Sequence, residues 1–301
     1  MYRVDFKPMN TNNLTQKLLE NLWNKKYYHD QAREFILKSF ATKDEFLLKL
    51  KKYSLGANAI LECGCGSASV LEQIWQKEKK LYGIDVSGVA IDLAERRLKK
   101  KTNIKLSVAS IEKLPFKDNF FDLVYATTVV EHLAHPERAI REMIRVTKKN
   151  GHLILMSPNF GSPLFPSPCQ PLKPVAYLRR FIKIFLKSHL YLLRKPKSLD
   201  WIKVYPRVLR EGKYRSDWDT LSEPYLQTLI IFLKKEGCEI LESYSTLQIL
   251  TSKVPRELPG NSLLSYFFHL VFRTISLWVE KAKIAPYCYF GPNMFAAAKK
   301  E

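Results

Sequence analysis

The segment Ile60-Leu-Glu-Cys-Gly-Cys-Gly66 is a short apolar run that ends in two glycines one residue apart. A continuous apolar run of this length is typical of a strand buried on both faces of a parallel sheet. Gly64 and Gly66 allow the backbone to turn sharply and to approach a ligand without an intervening Cβ. The helix predicted next would point its free N–H groups at the same place. By itself the motif is equally typical of a dinucleotide-binding fold, in which such glycines hold a pyrophosphate.

Strands and helices alternate on both sides of this motif. The predicted strands are Ala59–Glu62, Leu81–Val86, Ile104–Ala109, Phe121–Thr127 and Leu153–Met156, and the predicted helices are Val70–Lys79, Val89–Lys100 and Pro136–Thr147. Asn150-Gly151 is a predicted turn before the last of these strands. This alternation predicts an α/β fold with a parallel sheet and helices on both of its faces.

The alternation stops after Met156, where a run of prolines from Pro158 to Pro174 argues against regular structure. Further along, the sequence predicts a helix at Leu221–Glu236 and strands at Glu239–Leu250 and Tyr287–Ala298. The predicted domains are an N-terminal helical cap (1–58), a core (59–157 and 220–301), a basic helical insertion (158–219) and an apolar helical insertion within the core (252–286).

Asp85 ends the second predicted strand, 19 residues after Gly66, where a carboxylate can accept both hydroxyls of an adenosyl ribose. Other segments discriminate better between cofactors. They are Leu114-Pro115-Phe116, Phe120-Phe-Asp-Leu-Val-Tyr-Ala126, Glu131-His132-Leu133 and Gly151-His-Leu-Ile-Leu155. Together with the glycines they resemble class I S-adenosylmethionine-dependent methyltransferases, in the branch typified by ubiquinone-biosynthesis-type enzymes. The resemblance implies a Rossmann-like, doubly wound sheet of seven strands, mostly parallel with an antiparallel last strand, and helical cap insertions.

The same resemblance implies S-adenosylmethionine as the cofactor and assigns residues to it. Glu62 would contact the ammonium, the backbone of Gly64, Cys65 and Gly66 would pass under the amino-acid part, Asp85 would bind the ribose, Val86 would pack on adenine, Ser110 and Ile111 would lie at the adenine edge, and Thr127 would lie under the methionine. Two positions depart from the family pattern. Ala68 replaces its third glycine, and Ser110 replaces an adenine-binding aspartate, keeping a hydrogen-bonding group but no charge.

Methyl transfer needs a general base only if the acceptor must lose a proton. His132 and His135 follow the fourth predicted strand, at the sheet edge where such folds bind ligands, and either is a candidate base. Glu131 is a candidate for the same reason, and packing at the start of a helix is the alternative for His132 and Glu131. No Asn/Asp-Pro-Pro-Tyr/Phe sequence follows the strand, which disfavours methylation of nucleobase amino groups. Cys63-x-Cys65 lacks the second cysteine pair of a zinc site, so no metal is expected.

The formal charge of +20 is concentrated in one segment, because residues 173–215 hold 13 Lys/Arg against two acids. At 100° per residue, the basic side chains of 175–194 share an arc of about 100° and the rest of the helix is mostly apolar. These basic residues are Arg179, Arg180, Lys183, Lys187 and Arg194. Two interpretations stay open for this helix: a purely structural cap, or a cap that also contacts an anionic membrane surface.

The function expected from these features is methylation, at oxygen or carbon, of a small-molecule or lipid- or glycan-linked acceptor. An RNA methyltransferase and a non-catalytic S-adenosylmethionine-binding scaffold are the alternatives. Nucleic acid is the less favoured partner, because grooves that bind RNA combine spread basic residues with stacking aromatics. Met1–Phe6 contains no uninterrupted apolar core and the cysteines are scattered, so a cytoplasmic protein is expected. The membrane interpretation of 175–194 would place it peripherally at the membrane.

Overall fold

The computed structural model describes residues 13–25, 45–170, 172–212, 215, 217–246 and 283–301. Its helices are α1 (Asn13–Trp23), α2 (Glu45–Ser54), α3 (Ser69–Gln73), α4 (Gly88–Leu98), α5 (Pro136–Val146), α6 (Pro174–Leu193), α7 (Arg207–Glu211) and α8 (Leu226–Lys235). Its strands are β1 (Ala59–Cys63), β2 (Lys80–Asp85), β3 (Ile104–Val108), β4 (Phe121–Thr127), β5 (Thr147–Pro158), β6 (Ile202–Lys203), β7 (Ser222–Glu223), β8 (Cys238–Thr246) and β9 (Asn293–Lys300). Short 3₁₀ turns lie at Val130–His132 and Tyr287–Tyr289.

Seven strands form one sheet in the order β3-β2-β1-β4-β5-β9-β8. The pairs from β3 to β5 are parallel, and β9 runs antiparallel to both β5 and β8. The predicted fold is therefore confirmed, including the antiparallel last strand. Because the chain moves outward from β1 to β3 and then returns to the other side of β1, the loops after β1 and β4 diverge. A cleft between such loops, at the carboxyl ends of the strands, is where doubly wound sheets bind ligands.

The core lies in two layers, one on each face of the sheet, because successive side chains of a strand point to opposite faces. Leu61 and Val124 contact the layer that contains α5 and α8. Their neighbours Ile60 and Leu123 contact the layer that contains α2, α3 and α4. A third, smaller cluster joins α1 to the segment before α8 and lies beside the loop after β2. Thus α2 packs on the sheet, whereas α1 packs against residues of the predicted basic insertion.

Several predicted element ends differ from the structure because strand pairing overrides local periodicity. The helix expected from Leu221 begins at Leu226, since Ser222 and Glu223 form β7 and pair with β6. The strand expected from Tyr287 begins at Asn293, after a 3₁₀ turn. Asn150 has a φ of 63° inside the continuous strand β5, where the pairing with β4 shifts register, so a bulge stands where a turn was predicted.

Two further predicted segments are shorter or only partly described. The helix expected to reach Lys79 ends at Gln73. Of the predicted apolar insertion, 252–286, the described part begins at residue 283, and the rest of that prediction lies outside the described residues. The strand expected to reach Leu250 is described as far as Thr246.

Asn159, which is completely buried just after β5, connects three elements of the second half of the sheet. Its Nδ2 donates to the carbonyl oxygens of Tyr289 and Gly291, at 2.7 Å each. Its Oδ1 accepts the backbone N–H of Leu226, the first residue of α8, at 2.9 Å. One side chain therefore satisfies groups at the start of α8 and in the segment that leads into β9.

Replacing this side chain should destabilise the protein strongly. We expect Asn159→Ala to lower the free energy of unfolding by about 3 kcal/mol or more, because buried groups lose their hydrogen-bond partners. Asn24→Ala, which removes one exposed bond to the carbonyl oxygen of Glu20, is the control and should cost less than about 0.5 kcal/mol. Urea denaturation followed by circular dichroism measures both, and equal midpoints would contradict the assigned role of Asn159.

Candidate functional site

The loop after β1 has the backbone conformation that its glycines predict. Gly64 has a φ of 71° and Gly66 a φ of 50°, in the left-handed region that glycine adopts at low cost. A Cβ on Gly64 would lie 2.4 Å from Cγ2 of Val129, so the loop after β4 leaves no room for one. A Cβ on Gly66 would meet no atom within 4 Å. The two glycines thus act differently: Gly64 allows close packing of two loops, and Gly66 borders open space that a ligand can approach.

Asp85 holds this loop in place from the end of β2. One oxygen of its carboxylate accepts the N–H of Gly66 and the other accepts the N–H of Ser87, both at 2.8 Å. A carboxylate offers about four lone-pair positions, so these bonds leave acceptor capacity for the hydroxyls of a ribose. The side chain is half-buried, at the carboxyl edge of the sheet where the resemblance places the ribose.

Glu62, in β1, is a buried carboxyl group, exposed over only 3% of its surface. One of its oxygens accepts the backbone N–H of Leu71 in α3 at 3.2 Å. Burial raises the pKa of Glu62 to about 8, against the opposing effects of Tyr125 and the Leu71 N–H. A buried carboxyl group in this state gains most from a cation that enters beside it, such as the ammonium of an amino acid.

Thr127, the last residue of β4, provides a further test of whether the site fits the implied cofactor. Its Oγ1 is buried and makes no hydrogen bond among the described residues. Buried hydroxyls normally have partners, so this atom indicates a polar group still to be bound. The open space at Gly66, the carboxyl groups of Glu62 and Asp85 and this hydroxyl suit the amino-acid and ribose parts of S-adenosylmethionine. The residues present therefore fit the cofactor.

Arg97, in α4, braces the same loop, and the sequence analysis did not identify it. Its guanidinium donates to the carbonyl oxygen of Ser67 and to Oγ of Ser69, the latter at 3.1 Å, and it pairs with Glu72. Between these residues, Ala68 is fully buried with a φ of 55°, a conformation that costs a non-glycine residue about 1–2 kcal/mol. The substitution of the family's third glycine thus keeps the glycine conformation, and the contacts of Arg97 on either side hold it.

The remaining predicted cofactor residues contribute in other ways. The thiol of Cys65 is turned into the core beside Gly83, so only the backbone of Cys65 is available to a ligand. Oγ of Ser110 accepts the N–H of Glu112, which forms a local turn. Ile111 is part of the main core layer. Val86 is half-buried against the cluster that includes Trp23, and so can present an apolar surface beside Asp85.

A second group of polar side chains lies beyond β4, around His132. Nδ1 of His132 lies 3.6 Å from Oδ1 of Asp219, and Nε2 lies 3.7 Å from Oε1 of Glu131. Both carboxyl groups are fully buried. Oγ of Ser157 donates to Oε2 of Glu131 at 2.9 Å, whereas Oε1 of Glu131 has no hydrogen-bond partner among the described residues. The structure thus brings a histidine and two acids together at the carboxyl edge of the sheet.

The charges in this cluster set the proton affinities of its members. Burial alone would lower the pKa of His132, but the carboxylates of Asp219, Glu131 and Asp217 outweigh burial and raise it to about 9. Burial raises the pKa of Glu131 to about 7, although the neighbouring His132 opposes the shift. His132 is therefore protonated at neutral pH and is a poor proton acceptor there. Glu131, whose pKa lies near neutrality, is better matched to the work of a general base.

Trp23, at the end of α1, covers this cluster. Its Nε1 donates to Oδ2 of Asp219 at 3.0 Å, and its ring lies edge-on to His132 with centroids 6.0 Å apart. Its carbonyl oxygen accepts the hydroxyl of Ser87 at 2.8 Å. The contacts of Trp23 therefore join the loop after β2 to the acidic cluster.

Asp219 and Ser157 were not predicted as site residues. Asp219 follows His132 by 87 residues and lies in the predicted insertion, so no local spacing connects the two. His135, the other predicted base, is an exposed residue at the amino end of α5, where its carbonyl oxygen accepts the N–H groups of Arg138 and Ala139.

Comparison with known proteins agrees with this geometry. Residues 61–155 match the family model described as a methyltransferase domain. The chain is 31% identical over 139 residues to an uncharacterized methyltransferase of Schizosaccharomyces pombe, an alignment that covers 42% of this chain and 50% of the relative. It is 30% identical over 167 residues to the ubiquinone/menaquinone biosynthesis C-methyltransferase UbiE of Laribacter hongkongensis, covering 54% of this chain and 63% of the relative. The chain thus spans less than two thirds of the length of these curated relatives.

A solved structure shows the same fold. The S-adenosylmethionine-dependent methyltransferase from Mesorhizobium loti superimposes with a TM-score of 0.52 and 14% identity, over 85% of this chain and 96% of that one. The glycine loop, Glu62 and Asp85 lie at the edge of a sheet of this fold, within or close to the matched domain. Residues 61–155 therefore form a methyltransferase domain, in a fold that the S-adenosylmethionine-dependent methyltransferase from Mesorhizobium loti shares.

Proposed function

We propose that the protein binds S-adenosylmethionine at the edge formed by β1, β2 and β4, and transfers its methyl group to oxygen or carbon of a small-molecule or lipid-linked acceptor. The observation that carries the proposal is the buried carboxyl group of Glu62 beside a glycine loop that Asp85 holds open. The Glu62 carboxyl group accepts the backbone N–H of Leu71, and the charge of Arg97 does not offset the effect of burial on its pKa, so a ligand ammonium suits it.

When bound, S-adenosylmethionine supplies a methyl group that its sulfonium already activates. The protein has to position the acceptor in line with that methyl group and to exclude water, and both effects lower the barrier. Gly64 and Gly66 let the backbone pass close to the ligand, and Asp85 orients the ribose. The chain's remaining task is to take up the proton that an oxygen or carbon acceptor releases.

Glu131 is suited to that proton transfer. Its buried Oε1 has no hydrogen-bond partner among the described residues, while Ser157 fixes its other oxygen. The protonated His132, held by Asp219, would stabilise the ionised form of Glu131 until it accepts a proton. We therefore assign the base to Glu131, and give His132 a positioning and electrostatic role.

The acceptor class rests on the surroundings of the site and on one relative. Trp23, which contacts His132 and Asp219, belongs to a small apolar cluster with the buried Trp218 and Leu221, and apolar surroundings suit a small or apolar acceptor. The relative UbiE is named for ubiquinone or menaquinone biosynthesis and for C-methylation. Both features favour a small or lipid-linked acceptor over RNA.

Cofactor binding is tested at Asp85. We expect Asp85→Asn to raise the dissociation constant for S-adenosylmethionine by roughly 5- to 150-fold, because charge-assisted hydrogen bonds to the ribose are lost. Asp92→Asn, an exposed change on α4, is the matched control and should leave the constant unchanged. Isothermal titration calorimetry on both variants measures the effect. Equal affinities in folded Asp85→Asn and wild type would show that Asp85 is not a ribose ligand.

The role of Glu62 is tested by proton release. Since the pKa of Glu62 is about 8, the group is mostly protonated at neutral pH in the free protein. Binding an ammonium requires the carboxylate, so binding at about pH 7 should release most of one proton, and affinity should rise with pH up to about 8. Glu62→Gln should abolish the release. Titrations in buffers of different ionisation enthalpy measure it, and buffer-independent heats for wild type would contradict this role.

The role of Glu131 is tested by the rate of methyl transfer, measured with labelled S-adenosylmethionine and an extract of cell lipids and metabolites. We expect Glu131→Gln to lower kcat by about 10²–10⁴-fold with little change in cofactor affinity. The wild-type rate should fall as the pH drops below about 7, where Glu131 becomes protonated. His132→Gln should move that fall to higher pH, since the cation that lowers the pKa of Glu131 is removed.

The pH profiles separate a base from a structural role. A merely structural Glu131 would lower the rate of the Glu131→Gln variant but leave the shape of its pH profile unchanged, which would contradict the assignment. Absence of bound S-adenosylmethionine in wild type would instead overturn the enzyme proposal and favour a non-catalytic protein.

A further inference from the structure

Helix α6 (Pro174–Leu193) packs on the protein through a face that combines polar with apolar side chains. Its buried residues are Arg180, Ile184, Ser188 and Tyr191. The guanidinium of Arg180 donates to the carbonyl oxygen of Ser162 at 2.8 Å and pairs with Glu223 at 3.1 Å. Ser188 shares a hydrogen bond of 2.7 Å with the hydroxyl of Tyr225. Lys187 pairs with Asp200 at 2.5 Å. Arg180 and Lys187, two basic residues of the predicted arc, therefore face protein partners.

The opposite face of α6 is apolar and exposed to solvent. Six large aliphatic side chains on it have exposed fractions between 47% and 89%. They are Val175, Leu178, Ile182, Leu186, Leu190 and Leu193, and are called the α6 stripe below. At 100° per residue they fall within an arc of about 120°. Scattered exposed aliphatic residues are ordinary, but a continuous stripe along a helix of 20 residues marks an interaction surface.

The spacing of the α6 stripe indicates the shape of its partner. Successive members are 3, 4, 4, 4 and 3 residues apart, which averages the 3.6 residues of a straight helical turn. A coiled-coil seam repeats every 3.5 residues and winds around its partner helix. The α6 stripe instead runs parallel to the helix axis, which suits a flat partner better than a second helix.

The charges beside the stripe indicate the chemistry of that partner. Lys183 and Arg194 are exposed just beyond one edge of the stripe, Arg179 is exposed just inside the same edge, and α6 contains no acidic residue. Lys195 and Lys197 follow and are also exposed. Two copies of this surface would bring like charges together, whereas an anionic surface would complement them. Within the described part of the chain, no helix is long and apolar enough to cross a membrane.

We propose that α6 lies flat on an anionic membrane surface, with the α6 stripe in the boundary between head groups and acyl chains and the flanking basic residues on lipid phosphates. The proposal depends on α6 alone and not on the proposed methyl transfer. Membrane binding through α6 would also determine where the proposed site lies relative to the membrane. Glu223, the partner of Arg180, lies two residues after Leu221, whose N–H donates to the carbonyl oxygen of Glu131 at 2.8 Å. Docking would therefore bring the acceptor side of the site close to the membrane.

The experiment is co-sedimentation of the full chain with vesicles of phosphatidylglycerol and phosphatidylcholine in equal parts, and with phosphatidylcholine vesicles alone. Wild type should bind the mixed vesicles and bind the neutral ones far more weakly. The double variant Ile182→Asn, Leu186→Asn should lower the partition coefficient more than roughly tenfold, since buried aliphatic surface is lost. Arg179→Glu with Lys183→Glu should lower it roughly 25-fold or more, at about fivefold per basic residue.

Matched variants on α2 control for nonspecific effects. Leu48→Asn removes an equally exposed leucine, and Lys51→Glu with Lys52→Glu reverses two exposed charges; these variants should bind like wild type. Circular dichroism confirms folding, which surface changes should preserve. Absence of wild-type binding to anionic vesicles, or binding that survives the stripe variant, would overturn the proposal. Analytical ultracentrifugation tests a second copy as the partner: a wild-type dimer that the stripe variant dissociates would overturn the proposal. Salt-sensitive retention on RNA without vesicle binding would overturn it in favour of nucleic acid.

Discussion

The carboxylate of Asp85 holds together the two loops on which the site depends. By accepting the N–H groups of Gly66 and Ser87, it fixes the chain after β1 against the chain after β2. Ser87 also connects the loop after β2 to α1, because its hydroxyl donates to the carbonyl oxygen of Trp23. On the other side, Arg97 fixes the residues that follow Gly66. The glycine loop is therefore set before a ligand arrives, which reduces the ordering that binding requires.

Two cations, the half-buried His132 and the buried Arg180, pair with acids from the second half of the chain. His132 lies against Asp219, and Arg180 pairs with Glu223, so a segment of a few residues supplies acids to both. A buried charge without such a partner is strongly destabilising. The cluster around His132 and the attachment of α6 thus depend on the same short segment.

The sheet could be predicted because the patterns that indicate its strands lie within short segments of the sequence. Apolar runs such as Ile60–Cys63 and the helical periods between them determine which segments are strands, and right-handed crossovers leave few arrangements. Element ends were less predictable, since β7 forms only where β6 lies beside it and Leu226 begins a helix only where Asn159 accepts its N–H. The motif predicted that Glu62, Gly64, Gly66 and Asp85 lie together at the sheet edge, and their contacts with a cofactor stay a prediction. The sequence did not indicate Asp219 or Arg97, because each contacts residues that are distant in the sequence.

The helix at 175–194 shows that periodicity alone does not predict which face of a helix packs on the protein. The sequence established that one side is basic and the other apolar, but either side can face the protein. Glu223 and Asp200 decide the orientation, since they draw Arg180 and Lys187 inward and leave the aliphatic stripe outside.

The order of strands and helices, the glycine loop and the neighbouring carboxyl groups of Glu62 and Asp85 could be predicted from the sequence, because they depend on residues close together in the chain. The proposal of Glu131 as the base depends instead on the tertiary structure. The proton affinities of Glu131 and His132 follow from burial and from the charge of Asp219, which reaches them through the fold from 87 residues away.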